Sequence, residues 1–360
     1  MVDDARLGTP HAPTFGLDTF GDLEKDSHDP SGGPVHHAVA LRQVIEEAVL
    51  ADSIGLDFFG VGEHHRPDFA ISAPDVLLAA IAGRTRRIQL GTSVTVLSSE
   101  EPVRVFERFA TLDAVSGGRA EITAGRGSFT ESFPLFGLSL EDYEVLFAEK
   151  LQLLAALVEE GPVSWQGTVR PPLEDVELFP RTEHGLGLWV GVGGTPESVV
   201  RAASYGLPLV VAVIGGSPDR FTQLVELYHR ALEHYGHPPR PVSMHSPGHV
   251  AATDEEAREQ MFPYQAESFT RIGRERGWGP YTRDQFDANA EPTGSLFVGA
   301  PETVAQKIAW AMRTLGLSRF QLKYAVGGLP HELRMESIRL YGTQVVPRVR
   351  ELMGVEPADF

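Results

Sequence analysis

The chain alternates between short apolar runs and longer segments in which apolar residues recur at every third or fourth position. Short apolar runs are typical of buried strands, and the longer spacing is typical of amphipathic helices. Eight strands are predicted, at residues 14–20, 56–62, 87–98, 119–125, 187–193, 207–214, 241–252 and 319–326. Helices are predicted between them, at residues 36–55, 73–85, 102–116, 141–161, 196–206 and 221–236 and from residue 301 onward.

This order of elements predicts an α/β fold. Strands that are apolar along their whole length and alternate with helices indicate a parallel sheet covered on both faces. Eight such units favour closure into a (β/α)8 TIM barrel, with residues 1–360 as one domain; the alternative is an open, doubly wound sheet. Residues 263–298 interrupt the alternation between the seventh strand and the last unit. Segments of this length are usually functional, and we expect an ordered insertion here that serves as a lid.

Composition narrows the classes of function. The net charge is −18, from 49 acidic and 31 basic side chains, which disfavours binding to nucleic acid or to anionic membranes. The chain has no cysteine, so disulfides, thiolate metal sites and cysteine nucleophiles are excluded. The first residues show no secretory signal, and the longest apolar run, at residues 207–214, is much shorter than the ~20 residues that span a bilayer. We therefore expect a soluble, cytoplasmic protein.

Polar residues collect where the predicted strands end. In a TIM barrel the carboxyl ends of the strands meet at one face, which carries the active site. The polar residues that would meet there are Asp18 and Thr19, Glu63 and His64, residues 92–99, Arg126, residues 193–198 and residues 215–219. The sequence therefore predicts one polar site at the carboxyl face.

Two of these strand ends favour phosphate binding. Gly193 and Gly194 permit a tight turn into the next helix, with Thr195 at its N-cap and Pro196 in its first turn. The free amides of that helix end, together with the Thr195 and Ser198 hydroxyls, would form a phosphate cradle; an ordinary capped turn is the alternative.

Arg126 lies between two glycines, which leaves its guanidinium room to reach a phosphate or carboxylate ligand. The alternative for this arginine is an ion pair with Glu131 or another acid.

The adjacent residues His64 and His65 pose a choice between metal binding and proton transfer. Neighbouring side chains at a strand end point to opposite sides, so the two rings cannot easily share one ion, and we expect no metal. One histidine should point into the barrel mouth, where a pKa near neutrality would suit acid–base chemistry. The alternative is a histidine that only bonds neighbouring loops.

The same residues resemble the bacterial luciferase-like, flavin-dependent monooxygenase family over nearly the whole chain. The resembling segments are GLDFFGVGEHHRPDFAISAP, LGTSVTVLSSEEPVRVFERFATLDAVSGGRAEITAGRGSFTESFPLFG, WVGVGGTPESVVRAASYGLPLVVAVIGG, LFVGAPETVAQKI and ESIRLYGTQVVP. The resemblance implies an eight-stranded βα barrel, in agreement with the pattern above. It also implies that residues 263–298 take the place of the family's lid.

The resemblance implies FMN at the carboxyl face. The residues expected to contact it are Asp18, Thr19, Ser93, Val94, Arg126, Gly193, Gly194, Thr195, Ser198, Ile214 and Gly215. Arg126, Ser198 and the amides of Gly194 and Thr195 would hold the phosphate. A cis peptide between Ser93 and Val94 would lie under the flavin ring. The catalytic residue would be His64, with His65 a less critical neighbour.

The chemistry implied by the resemblance is monooxygenation. Reduced FMN, as a cosubstrate or a bound flavin, would react with O2 to give a flavin hydroperoxide that transfers one oxygen to a small organic substrate. Electrons would come from NAD(P)H or through a separate flavin reductase. Bacterial luciferase has a cysteine where this chain has Gly125, so light emission is not expected. A deazaflavin- or NAD(P)H-linked hydride transferase of the same fold and a non-catalytic flavin-binding protein stay open.

A homodimer is also expected, because the family associates through helices beside the second and third strands. Phe106 and Phe109 offer more aromatic surface on the helix at 102–116 than one packing stripe requires. The alternative is that both rings pack on the barrel.

Overall fold

Eight parallel strands close into a barrel in this computed structural model, which describes residues 12–25, 33–127 and 129–355. The strands of the described residues are β1 Thr14–Thr19, β2 Phe58–Val61, β3 Gln89–Thr92, β4 Thr95–Val96, β5 Ala120–Gly125, β6 Val163–Trp165, β7 Leu173–Val176, β8 Gly187–Val192, β9 Leu209–Ala212, β10 Val242–Val250, β11 Phe297–Gly299 and β12 Arg319–Lys323. The barrel order is β1-β2-β3-β5-β8-β9-β10-β12, and β12 pairs with β1 to close it. The predicted TIM barrel is therefore confirmed, and the open sheet is wrong.

Helices surround the barrel. They are α1 His37–Ser53, α2 Pro74–Ala82, α3 Pro102–Ser116, α4 Ser132–Leu135, α5 Tyr143–Leu157, α6 Pro196–Ser204, α7 Thr222–His234, α8 Asp254–Arg276, α9 Arg283–Ala290, α10 Pro301–Leu315, α11 His331–Leu340 and α12 Val346–Leu352. Their apolar faces bury a continuous core against the strands. Phe106 and Phe109 of α3 are each 1% exposed in that core. The expectation that these two rings offer a dimer surface is therefore wrong, because both pack on the barrel.

The third predicted strand, at residues 87–98, is two short strands. β3 ends at Thr92 and β4 begins at Thr95, and the peptide between Ser93 and Val94 is cis, as the resemblance implied. β4 adds to the edge of β5. Residues 163–176 form an antiparallel hairpin, β6–β7, that was not predicted.

The segment at residues 263–298 is largely helical. Helix α8 begins at Asp254, where the Thr253 hydroxyl accepts a hydrogen bond from the Glu256 amide and three acidic residues occupy the first turn. The helix continues through Pro263, so the break in the alternation comes later than the sequence indicated. A capping box at Thr282 starts α9. The ordered insertion is thus a pair of helices over the barrel, and its lid role stays a prediction.

A buried lysine on α10 binds the end of α9 and the loop after it. The Lys307 ammonium donates to the carbonyls of Leu296 at 2.6 Å and Glu291 at 2.5 Å, and it also contacts those of Asn289 and Ala290. Because the last carbonyls of α9 have no partners within the helix, Lys307 takes the place of a C-cap. In the described part of the chain, no helix is long and apolar enough to cross a membrane.

Replacing Lys307 by methionine is expected to lower the free energy of unfolding by about 1–3 kcal/mol, since buried carbonyl oxygens lose their donor. Urea denaturation followed by circular dichroism measures the loss. Gln306→Met, at an exposed neighbouring position of α10, is the control and should change the value by less than ~0.5 kcal/mol. Equal unfolding midpoints for the two variants would contradict the capping role.

Candidate active site

A cavity of about 250 Å³ opens at the carboxyl ends of the barrel strands. Of the residues predicted to contact a cofactor or to catalyse, those that line it are His64, Ser93, Val94, Arg126, Gly193, Ser198 and Ile214. Gly194 and Thr195 lie beside it at the start of α6. Gly215 lines a second, adjoining cavity. The barrel therefore brings most of the predicted site residues to one place.

The residues predicted to form a phosphate cradle come together at the start of α6. Thr195 is the N-cap residue, but its hydroxyl does not cap the helix; it lies 2.7 Å from the Ser198 hydroxyl oxygen. Arg126 Nη2 donates to the same Ser198 oxygen at 3.1 Å. Gly194 has a φ of 117°, which glycine adopts far more readily than other residues. No side chain of the described residues caps the helix, so its first amides lack a side-chain partner. Two hydroxyls, one guanidinium and a helix N-terminus thus converge.

Glu144 also reaches this cradle. Its carboxylate pairs with Arg126 and lies 3.3 Å from Nη2 of Arg201, the arginine in the second turn of α6. The alternative of an ion pair for Arg126 is therefore partly correct, although the acid is Glu144; Glu131 pairs with Arg66 instead. The Glu144 side chain is 63% exposed, so water can solvate it when it leaves. The cradle is thus a site where an anion already sits between two arginines.

Two glycines pack closely against the side chains of Ser93 and Val94 beside the cradle. A Cβ on Gly125 would lie 2.5 Å from a methyl of Val94, and one on Gly60 would lie 2.5 Å from the Ser93 hydroxyl oxygen. Such distances are too short for a side chain, so both positions need glycine. A Cβ on Gly193 would meet open space, which leaves that strand end accessible.

Polar groups form the cavity floor. The Gln321 Nε2 and the Thr123 hydroxyl are buried in its lining, and neither has a hydrogen-bond partner within the described residues. Buried polar groups normally have a partner, so these two are candidates for ligand contacts. Asp18 and Thr19 do not line the cavity: Asp18 Oδ2 bonds His245 Nδ1 at 2.7 Å, and the Thr19 hydroxyl accepts from the Gly21 amide at 3.0 Å.

His64 lies in a box of aromatic rings at the cavity wall. Its ring centroid is 4.5 Å from that of Phe20, 4.6 Å from Phe69 and 5.3 Å from Phe129. No hydrogen bond of the ring is present within the described residues. Burial, reinforced by the positive charges of Lys323 and Arg66, lowers the pKa of His64 to about 3. The expectation of a pKa near neutrality is therefore wrong, because the apolar rings around His64 destabilise the imidazolium.

His65 does not line the cavity, but its partner Glu63 does. Its Nε2 lies 2.9 Å from Glu63 Oε1, and Glu63 Oε2 accepts from the Val96 amide at 2.9 Å. This bond to Glu63 raises the pKa of His65. The two rings thus have different surroundings, one apolar and one ion-paired. Within the described residues no group of three or more potential ligands could hold a metal ion.

His245 is the site residue that sequence inspection missed. It is 7% exposed and lines both the first cavity and the adjoining one. Its position in the middle of β10, a strand buried along its whole length, was the available signal, since a buried polar side chain there needs a partner in the protein or a ligand. Gln321 in β12 could have been noticed for the same reason.

Comparison with known proteins gives one consistent family. The family model described as luciferase-like monooxygenase matches residues 22–319. Among curated relatives, the alkanal monooxygenase alpha chain of Photobacterium leiognathi is 24% identical over 351 residues, which cover 90% of this chain and 97% of that protein.

Solved structures with the same fold include monooxygenases and a reductase. Monooxygenase RslO1 from Streptomyces bottropensis matches with a TM-score of 0.79 and 24% identity, over 93% of this chain and 99% of that chain. The oxygenating constituent of 3,6-diketocamphane monooxygenase from Pseudomonas putida, in complex with FMN, has a TM-score of 0.74 and 19% identity, over 94% and 99%. The coenzyme F420 dependent tetrahydromethanopterin reductase from Methanopyrus kandleri has a TM-score of 0.68 and 18% identity, over 94% and 100%. At these identities the likeness shows the fold.

Proposed function

The chain belongs to the luciferase-like monooxygenase family, and we propose that it is an FMN-dependent monooxygenase that uses reduced FMN and O2 to oxygenate a small organic substrate. The observation that carries the proposal is the cradle of Arg126, Thr195 and Ser198 at the start of α6, which opens directly into the barrel cavity. When bound, reduced FMN would supply the electrons that activate O2 for transfer of one oxygen atom.

The residues present fit FMN. A phosphate dianion would replace the Glu144 carboxylate between Arg126 and Arg201, because both are anions that accept from guanidinium groups. The amides at the start of α6 favour negative charge as well. Further along the cavity, the unpartnered Gln321 Nε2 and Thr123 hydroxyl offer hydrogen bonds to a polar ring system.

The chain's own residues would orient the cofactor, exclude water from the site and transfer protons. Ser93, Val94 and Gly125 give the cavity a close-packed wall against which a flat ring can lie. The aromatic rings around His64 would exclude water from the site, which would prevent side reactions with solvent. Neutral at pH 7, His64 would accept or share a proton at its ring nitrogens. Helices α8 and α9 would act as the lid.

A hydride transferase that uses deazaflavin is the second candidate, because a structural neighbour is an F420-dependent reductase. We propose FMN over F420, with electrons supplied by a separate flavin reductase or by NAD(P)H at this site. A cytoplasmic location stays a prediction.

Titration with oxidised FMN and with F420, followed by quenching of flavin fluorescence, is expected to show binding of FMN in the micromolar range or tighter and weaker binding of F420. Mixing the protein with reduced FMN and O2 should then change the rate of O2 uptake relative to reduced FMN and O2 without the protein. Adding NADH without a reductase distinguishes reduction of FMN by NADH at this site from supply of reduced FMN by a separate reductase. Preferential F420 binding would favour the hydride transferase, and failure to bind either cofactor would contradict both candidates.

We also propose a homodimer that uses helices α2 and α3. Val76 on α2 and Val115 on α3 are 66% and 65% exposed, which leaves apolar surface on both helices. Light scattering at micromolar concentration is expected to give about twice the chain mass of 39.2 kDa. The double variant Val76→Glu, Val115→Glu should be monomeric, whereas Tyr235→Glu, an exposed aromatic after α7, should not change the mass. A monomeric wild type would contradict the proposal.

A further inference from the structure

A second cavity of about 370 Å³ adjoins the first. We call it the aromatic chamber; the rings that line it belong to Phe20, Phe69, Phe129, Phe269 and Trp278. The two cavities share Phe20, Ile214 and His245, so a molecule in the chamber would lie beside whatever occupies the first cavity. A chamber of this size is within the range of small-molecule sites.

The walls of the aromatic chamber favour a flat, apolar ligand. Phe20 and Phe69 meet edge to face at 5.7 Å, and Phe69 and Phe129 are 6.3 Å apart, so three rings form the wall on the barrel side. Phe269 of α8 faces them from the lid side, supported by Tyr281 at 5.2 Å. Aromatic rings pack well against other aromatic rings in both stacked and edge-on arrangements.

Two polar groups interrupt these walls. His245 uses Nδ1 for Asp18, so Nε2 is the ring nitrogen left for a ligand. Gln265, 1% exposed on α8, also lines the aromatic chamber. Its amide lies near the Tyr281 hydroxyl, but neither amide atom makes a hydrogen bond of good geometry within the described residues. A buried amide without well-placed partners needs a ligand that both donates and accepts.

The charged groups that line the aromatic chamber already contact other groups of the protein. The Lys323 ammonium lies 3.0 Å and 3.3 Å from the two Asp22 oxygens, so its charge is already compensated. Arg276 holds its guanidinium over the rings of Phe129 at 5.4 Å and Trp278 at 5.3 Å. A neutral ligand leaves both arrangements intact.

We propose that the aromatic chamber binds the organic substrate, and that this substrate is a neutral, flat aromatic molecule carrying a hydroxyl group, held through His245 and Gln265. The inference rests on the proposed function, since it names the substrate class of the same site. The hydroxyl both donates and accepts, which matches a ring nitrogen on one side and an amide on the other.

Calorimetric titration of the flavin-free protein tests the proposal with four probes: 2-naphthol, 2-methoxynaphthalene, 2-naphthoate and decanal. 2-Naphthol is expected to bind about 3- to 10-fold more tightly than its methyl ether, since one hydrogen bond is lost. It should also bind more tightly than the carboxylate and the aliphatic aldehyde. His245→Phe should remove the difference between 2-naphthol and its ether while retaining ring packing.

Phe269→Ala should weaken 2-naphthol binding about 5- to 30-fold, because one wall of the aromatic chamber is lost. Phe262→Ala is the matched control, two turns earlier on the same helix, where the ring packs on Phe286 at 5.4 Å and does not line the chamber. FMN affinity should be the same in both variants, and thermal unfolding checks that each is folded.

When 2-naphthol binds, three further results would overturn the inference: equal or tighter binding of decanal or 2-naphthoate, no difference between 2-naphthol and its ether, or equal effects of the two phenylalanine variants. If FMN binds and 2-naphthol does not, the substrate class is wrong and the proposed function stands. If 2-naphthol binds and FMN does not, the aromatic chamber stands and the proposed function is wrong.

Discussion

Arg126→Ala is expected to weaken FMN binding by about 10- to 150-fold. The variant removes a guanidinium that donates to Ser198 and pairs with Glu144, and we expect it to donate to a phosphate dianion in the same place. Hydrogen bonds between charged groups contribute about 1.5–3 kcal/mol each, which sets this range. Titration of the purified variant with FMN, followed by flavin fluorescence, measures the change.

Two further variants separate phosphate binding from general damage to the cradle. Ser198→Ala removes a neutral hydroxyl and should weaken FMN binding by less than ~10-fold. Glu144→Gln should strengthen it by a few-fold, because the phosphate then displaces no carboxylate and an exposed ion pair of this kind is worth only ~0.2–1 kcal/mol. Unchanged affinity in Arg126→Ala, or weaker binding in Glu144→Gln, would place the phosphate elsewhere.

The barrel could be predicted because its signal is repeated along the chain. Most barrel strands are apolar runs, and most helices show their own spacing, so errors at one boundary did not change the count of barrel strands. The cradle could be predicted for a local reason: Gly194, Thr195 and Pro196 are the residue types that a strand-to-helix turn needs. The local pattern misplaced one boundary. The break was expected at Pro263, but α8 continues through this residue because the helix is stabilised by its N-cap and by its packing.

The rest of the site depends on contacts between residues far apart in the chain. The pKa of His64 is low because rings from positions 20, 69 and 129 surround it, and no spacing within the EHH motif contains that information. The pairing of Arg126 with Glu144, and that of His245 with Asp18 across 227 positions, have the same character. Residue types indicated which groups could act, and only the fold showed what each group meets.

His64→Ala is expected to lower substrate oxygenation by about 10²–10⁴-fold, the usual range for loss of an acid–base group. FMN affinity should change little, because the phosphate cradle is on β5 and α6, away from the aromatic box. The pKa of His64 is about 3, and a nearby anionic ligand should raise it by favouring the imidazolium. Single-turnover product formation with reduced FMN, O2 and 2-naphthol as the first substrate tests the rate. Nuclear magnetic resonance of the ring, with and without FMN, tests the pKa.

His65→Ala is the matched control, since His65 does not line the cavity and reaches it only through its bond to Glu63. It should lower the rate distinctly less than His64→Ala, although losing the bond to Glu63 will cost some stability.

The free energy of unfolding, measured over a series of pH values, gives a second and independent test of His64. Because the folded pKa of His64 lies below the ordinary value of 6.5, its neutral burial stabilises the fold above pH 6.5, and that contribution is lost as the pH falls toward 3. His64→Ala should therefore lose less stability than wild type over this range. Equal rate effects from the two histidines would mean that the wrong ring was assigned to the flavin side, and no rate effect from either would rule out proton transfer through this motif.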